Sequence, residues 1–217
     1  MRNKRKSFCP VKLKPKLKIA TFDIETKNWV YPYCLSFYDG ENIKMFTGNS
    51  CITDFLNFVI TKKYRAYSIF AHNGGKFDFN FIIEHLKKMK YDIHFIFQGS
   101  RCILLKIYEQ KEGKLHNRKA CNNIKFYDSY ALLRFSLDKL TKSFNVSNKK
   151  LNFMGNNEKN DYDYLYKLYK NKDKKFYEYV KNDVVGLYQV LNKFQNLKYI
   201  EMLIDCDLIM VVMYKRG

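Results

Sequence analysis

The chain has 217 residues, 47% of them hydrophobic, which suits one domain with a sizeable core. Its formal charge is +19, and residues 1–18 carry eight Lys/Arg and no acid, leaving the remainder at +11. A surplus of this size points to a polyanionic partner, nucleic acid first, over a merely Lys-rich soluble surface. Six scattered cysteines with no CxxC pair argue against a zinc site and for free thiols in a reducing compartment. No apolar stretch follows the basic start as a secretory signal would require. The most apolar segment, 199–214, is interrupted by Glu201, Asp205 and Asp207 and does not read as a membrane span.

Taken in chain order, residues 1–15 read as a disordered basic arm. Leu17–Ile24 alternates and is predicted as a strand. Tyr33–Tyr38 and Asn42–Phe46 follow as strands joined by an Asp39-Gly40 turn. Ile52–Lys63 has helical spacing, with Phe55, Leu56 and Val59 on one face. Tyr67–Ala71 is a short buried strand broken by Asn73-Gly74-Gly75. Phe77–Lys88 then resumes as a helix with Phe77, Phe81, Ile82 and Leu86 at core positions. Strands are predicted over Ile93–Phe97, Ile103–Tyr108 and Ile124–Tyr127, with a polar loop over 109–123. Residues 129–144 read as helix, 145–160 as loop, and Lys174–Phe194 as a long amphipathic helix. A mixed sheet surrounded by helices is the expectation.

Three short motifs carry the chemistry. Asp23 and Glu25 are two apart on a strand and leave the same face, where they could share a metal; a solvated sheet edge would look the same. Asp78 follows a strand, a double glycine and a helix start. Glycines let backbone turn sharply and approach a ligand closely, yet an ordinary turn with an acid complementing the helix dipole also fits. Tyr179 and Asp183 are four apart on a helix, on the face that carries Leu187, Leu191 and Phe194. An aspartate on an inward stripe is costly unless it is paired or binds metal; a salt bridge to lysine is the alternative. His72 and His85 have no partner at ligand spacing and read as structural. No phosphate-binding Gly-rich loop of the P-loop type occurs.

Together, Asp23-Ile24-Glu25, Asn73 through Phe77-Asp78, and Tyr179 through Asp183 resemble the proofreading 3′–5′ exonuclease domain of family B DNA polymerases. The protein-primed branch of linear mitochondrial plasmids and some phages is the nearest in pattern, over roughly residues 17–198. The resemblance implies an α/β, RNase H-like (DnaQ-like) fold with a mixed central sheet flanked by helices. It implies two Mg²⁺ or Mn²⁺ ions held by Asp23, Glu25, Asp78 and Asp183, with Tyr179 orienting the attacking water. Glu178 stands where the histidine subtype would place His, so the tyrosine (DEDDy) subtype is implied. Single-strand DNA ligands would map onto Thr26, Asn73, Phe77 and Ser129. The family's catalytic lysine would map onto Lys150, with Lys149 as the alternative. Tyr130 departs from the leucine usual beside Ser129.

No palm signature follows Asp183, so DNA synthesis by this chain alone is not expected. The organisation read from the sequence is a basic arm over 1–15, an exonuclease domain over 16–199 and a remnant over 200–217. The expected partners are a single-stranded DNA 3′ end and a DNA polymerase subunit or terminal protein, with no membrane. The abundance of Lys, Asn, Ile, Phe and Tyr fits an AT-rich organellar, viral or plasmid gene. The expected location is the mitochondrial matrix or another reducing compartment, and the chain is not expected to be secreted. A catalytically inactive nucleic-acid-binding module, or a polymerase accessory fragment on the same fold, is the alternative function.

Overall fold

The computed structural model describes residues 16–108, 124–151 and 162–196. The basic arm, the loop 109–123, most of the segment 145–160 and the stretch 197–217 lie outside the described residues.

Seven strands form one mixed sheet. They are β1 (Lys18–Lys27), β2 (Tyr31–Tyr38), β3 (Ile43–Thr47), β4 (Tyr67–Ala71), β5 (Asp92–Gln98), β6 (Arg101–Tyr108) and β7 (Ile124–Asp128), in the order β3-β2-β1-β4-β7-β6-β5. The central pairs β1–β4 and β4–β7 are parallel and the other pairs antiparallel. Among the described residues, five α-helices pack around the sheet: α1 (Cys51–Val59), α2 (Asp78–Lys88), α3 (Leu137–Ser143), α4 (Tyr162–Lys170) and α5 (Lys174–Asn196).

Period-two alternation on β1 divides the molecule. Ala20, Phe22 and Ile24 enter the core beneath α1 and α2, where the Phe22 ring packs on Phe55, Phe79 and Phe126. Ile19, Thr21, Asp23 and Glu25 therefore face the other side, where Ile19 packs with Leu187 and Leu191 of α5. The Thr21 hydroxyl donates to the Val184 carbonyl of α5 at 2.8 Å, with both groups buried. That bond keys helix to strand beside the acidic motifs.

The predicted elements need several adjustments. β1 does not stop at Ile24: it pairs with β2 out to Lys27↔Tyr31, with a register shift at Glu25/Thr26. Asp23 and Glu25 thus sit within a strand rather than at its end. The Asp39-Gly40 turn forms as expected, with Asp39 Oδ1 accepting from the Glu41 and Asn42 amides and Gly40 at φ +97°. α1 ends at Val59, four residues early, and Lys62–Ala66 is a 3₁₀ turn in which Lys63 and Tyr64 bind the Asp39 carboxylate. In α2 the core ring is Phe79, fully buried beside Ile82 and Leu86, while Phe77 and Phe81 are only partly covered.

Residues 129–144 are not one helix. A 3₁₀ turn spans Ser129–Ala131, its Tyr130 amide bound by Asp128, and α3 begins only at Leu137, capped by the Ser136 side chain at the Lys139 amide. α4 has no counterpart in the prediction. Its Leu165 and Leu168 are buried three residues apart, and its tyrosines pack around Tyr33 and Phe176. α5 starts where expected, with Asp173 accepting the Lys175 amide at 2.9 Å, and runs two residues further than predicted.

Candidate active site

Three of the sequence-predicted acids converge. One oxygen each from Asp23, Glu25 and Asp183 lies within 4.8 Å of the others, a spacing that suits a bound divalent cation. Asp78 arrives from the other side of β1 at the first position of α2, where its Oδ1 accepts the Ile24 amide at 3.2 Å. It lies outside that close group but lines the same cavity of about 250 Å³, together with Asp23, Glu25, Asp183, Tyr179 and Lys150.

Gathering these acids is electrostatically costly. Burial and then the Asp183 charge push Asp23 up to about 6. Burial followed by the Asp23 charge holds both Glu25 and Asp78 well above the ordinary carboxylate range. Burial also raises Asp183, against the opposing pull of Lys150. The Lys150 ammonium lies 3.2 Å from Asp183 Oδ2. Burial works against the charge of Lys150, but Asp183 and Asp23 outweigh it and raise its pKa. Among the described residues, one cation, Lys150, lines the cavity against four acids, which leaves the set short of positive charge. Asp183 Oδ1 is buried without a hydrogen-bond partner among the described residues. An orphaned carboxylate oxygen beside two more converging carboxylates is what a hard divalent cation would satisfy, so the residues present fit such a group.

Tyr179 sits one turn before Asp183 on α5, buried, and its hydroxyl hydrogen-bonds the Asp183 carboxylate. Burial, with Glu25 and Asp183 nearby, drives its phenol far above the ordinary tyrosine value. Lys149 is exposed, whereas Lys150 lines the cavity.

The segment carrying Lys150 is pinned to α5. Asn148 Nδ2 donates to Asn182 Oδ1 at 2.6 Å, and the Asn148 amide donates to Gln189 Oε1 at 3.1 Å. Gly186 makes the approach possible, because a β-carbon there would stand 2.7 Å from the Asn148 carbonyl oxygen. A glycine inside a helical pattern is the signal that could have revealed this contact.

Thr26, Asn73 and Phe77, the residues onto which the resemblance maps strand ligands, line the cavity. Ser129 does not: it is fully buried, with Oγ 3.0 Å from His72 Nδ1 and 3.2 Å from the Ala71 carbonyl oxygen. His72, read as structural, bonds Phe135 O at 2.9 Å and itself lines the cavity, so Ser129 touches the cavity wall through the His72 ring.

The turn after β4 also differs from its sequence reading. Asn73, not a glycine, takes the left-handed conformation, at φ +66°. Gly75 is required for packing, since a β-carbon there would fall 1.9 Å from the Cys102 carbonyl oxygen of β6.

Arg101 was missed. It donates to Asn73 Oδ1 at 2.8 Å, pairs with the buried Asp128 and lies 4.5 Å over the Tyr130 ring, so it fixes the Asn73 side chain. Trp29 and Tyr162, also missed, line the same cavity. Nothing in the local pattern marks Arg101 or Tyr162, whereas Trp29 is the sole tryptophan of the chain.

Comparison with known proteins identifies the family and the fold. The family model for DNA polymerase type B, organellar and viral, matches residues 60–212, a span that holds Asp78, Tyr179 and Asp183 and begins after Asp23 and Glu25. A probable DNA polymerase of Neurospora intermedia is 28% identical over 245 residues, covering 87% of this chain and 25% of the relative. A DNA-directed DNA polymerase of Enterobacteria phage PRD1 is 31% identical over 188 residues, covering 83% of this chain and 28% of the relative. The chain thus spans about a quarter of the length of these relatives. Among solved structures, Phi29 DNA polymerase complexed with single-stranded DNA superposes with a TM-score of 0.58 at 18% identity, over 87% of this chain and 32% of that one. The fold is RNase H-like, as the resemblance implied, and the chain belongs to the organellar and viral type B DNA polymerase family.

Proposed function

We propose that this chain is a metal-dependent 3′–5′ exonuclease, of the tyrosine subtype, that releases nucleotides from single-stranded or frayed DNA ends. The observation that carries the reading is the convergence of Asp23, Glu25 and Asp183 oxygens within 4.8 Å, in a cavity that also holds Asp78, Tyr179 and Lys150. Asp23, Glu25, Asp78 and Asp183 would hold two Mg²⁺ or Mn²⁺ ions. Bound there, the ions would stabilise charge on the attacking and leaving oxygens of the phosphodiester.

The chain's own groups divide the remaining work. The Tyr179 phenol stays protonated throughout the working range, so it orients a water by hydrogen bonding and does not serve as the base. The Lys150 ammonium stays charged and offers its charge to a phosphate oxygen. Arg101 occupies Asn73 Oδ1, leaving the Asn73 amide group to donate to the strand, and Phe77 offers a ring to a base.

Residues 16–199 would form the nuclease domain, with the arm over 1–15 supplying salt-sensitive phosphate contacts. A single-stranded 3′ end is the substrate, and a polymerase subunit or terminal protein the partner. Cys34, Cys51 and Cys102 are buried free thiols, which suits a reducing compartment such as the mitochondrial matrix. No described helix is long and apolar enough to cross a membrane.

The test is degradation of a 5′-labelled single strand by the full chain with Mg²⁺ or Mn²⁺. A ladder shortening from the 3′ end is expected, and Asp23→Ala/Asp183→Ala should slow it by ~10³-fold or more. Unchanged cleavage by the double variant would end the reading. Strand binding without cleavage by the parent would favour an inactive binding module instead.

A further inference from the structure

β1 and β2 are joined by a three-residue connection, Asn28 to Val30, in which Asn28 and Trp29 are the central residues of a turn closed by the Val30 amide donating to the Lys27 carbonyl at 3.1 Å. Both turn residues are left-handed, at φ +53° and +61°. This is the tight hairpin geometry that favours Asn-Gly, so Trp29 stands where glycine fits best and a bulky side chain fits poorly. The core does not compensate, because the Trp29 side chain is 58% exposed. Its ring is held edge-on against Phe77, centroids 5.3 Å apart, and against Tyr162 at 4.7 Å. All three rings line the acidic cavity. A disfavoured backbone carrying an exposed indole at the mouth of a reactive cavity is a feature that binding can explain and folding cannot.

We propose that Trp29 is a base-stacking residue that grips the single strand beside its scissile end; this rests on the nuclease reading above. The cavity is polar and acidic at its floor, with Lys150 at its side and three aromatic rings at its rim. A single-stranded nucleic acid has the matching order of parts, with phosphates to meet charge and metal and flat bases to meet rings. Stacking is tolerant of sequence because every base has a π-face, as removal of any terminal nucleotide requires. Phe77 and Tyr162 act as side walls that fix the indole plane before the strand arrives.

Trp29 is the chain's sole tryptophan, so its fluorescence reports this contact directly. The full chain, with Ca²⁺ in place of Mg²⁺ to slow cleavage, is titrated with a 5′-labelled single-stranded oligonucleotide. Label anisotropy reads binding, and indole emission reads stacking. The expected result is saturable quenching with the same midpoint as the anisotropy change, and much weaker quenching by a strand whose last nucleotides are abasic. Trp29→Gly, which suits the turn, should keep the melting temperature yet bind the strand ~10-fold more weakly, and Trp29→Phe should recover most of the affinity. Binding without an emission change, equal quenching by the abasic strand, or parental affinity in Trp29→Gly overturns the proposal and leaves the nuclease reading standing. Absence of strand binding by the parent overturns both.

Discussion

The acids of the cavity should oppose the fold that assembles them, and Asp23 allows that cost to be measured. Burial and the Asp183 charge lift it from the ordinary aspartate value of 3.8 to about 6. A carboxyl raised on folding prefers its protonated form in the native state. Its favourable contribution is therefore complete below pH ~4 and is lost as pH rises through ~6. The rise corresponds to at most ~3 kcal/mol at about pH 8, since each pKa unit is worth ~1.4 kcal/mol; Asp23 is partly open to the cavity, which trims the figure. Asp23→Asn keeps the shape and removes the charge. In chelator, it should raise the unfolding free energy by up to ~3 kcal/mol at about pH 8 and leave it nearly unchanged at about pH 4. Urea unfolding followed by circular dichroism measures both. Adding Mg²⁺ should reverse the ranking, because the parent gains binding energy that the variant largely forgoes. A variant less stable than the parent in chelator at the higher pH, or a difference that does not vary with pH, would refute the reasoning.

Tyr179→Phe should keep metal affinity, read by calorimetric titration, while turnover falls less than in either aspartate variant, because the phenol orients water and holds no cation; loss of metal binding would show that the role is wrong. Gly186→Ala presents a conflict between helix and site. Alanine is favoured in a helix interior by ~1 kcal/mol, yet its β-carbon would meet the Asn148 carbonyl and displace the segment bearing Lys150. Single-turnover cleavage should fall by up to ~10²-fold with helix content preserved, and full activity would show that the close contact is dispensable.

The motifs were legible because each places its chemistry within a few residues. Asp23 and Glu25 share a face by strand periodicity alone, and Asp183 betrayed itself as a charge on an inward stripe. Their mutual distance was not legible, since it depends on how α5 docks on β1, and the Thr21–Val184 bond spans most of the chain. Arg101 escaped notice because its partners, Asn73, Asp128 and Tyr130, come from two other segments. α4 escaped because its two buried leucines, Leu165 and Leu168, sit among tyrosines on a helix of only nine residues. Gly75 sits in a turn as its sequence suggests, yet what demands glycine there is room for the β6 backbone, which no local pattern reveals.

The Thr21–Val184 contact also bears on when the protein becomes a hazard. Its ends are 163 residues apart, so this closure belongs to the least local contacts of the fold. Contacts of that separation demand long loop closure and slow folding. During synthesis from the amino end, the sheet strands and α2 emerge long before α5. Until α5 docks, Asp23 and Glu25 lack Asp183, and Lys150 lacks the helix surface that pins its segment. A nascent or partly folded chain would therefore carry Asp23, Glu25 and Asp78 and still lack Asp183, the group that completes the acidic set. On the proposed nuclease reading, the topology would delay competence to cut DNA until the fold has closed.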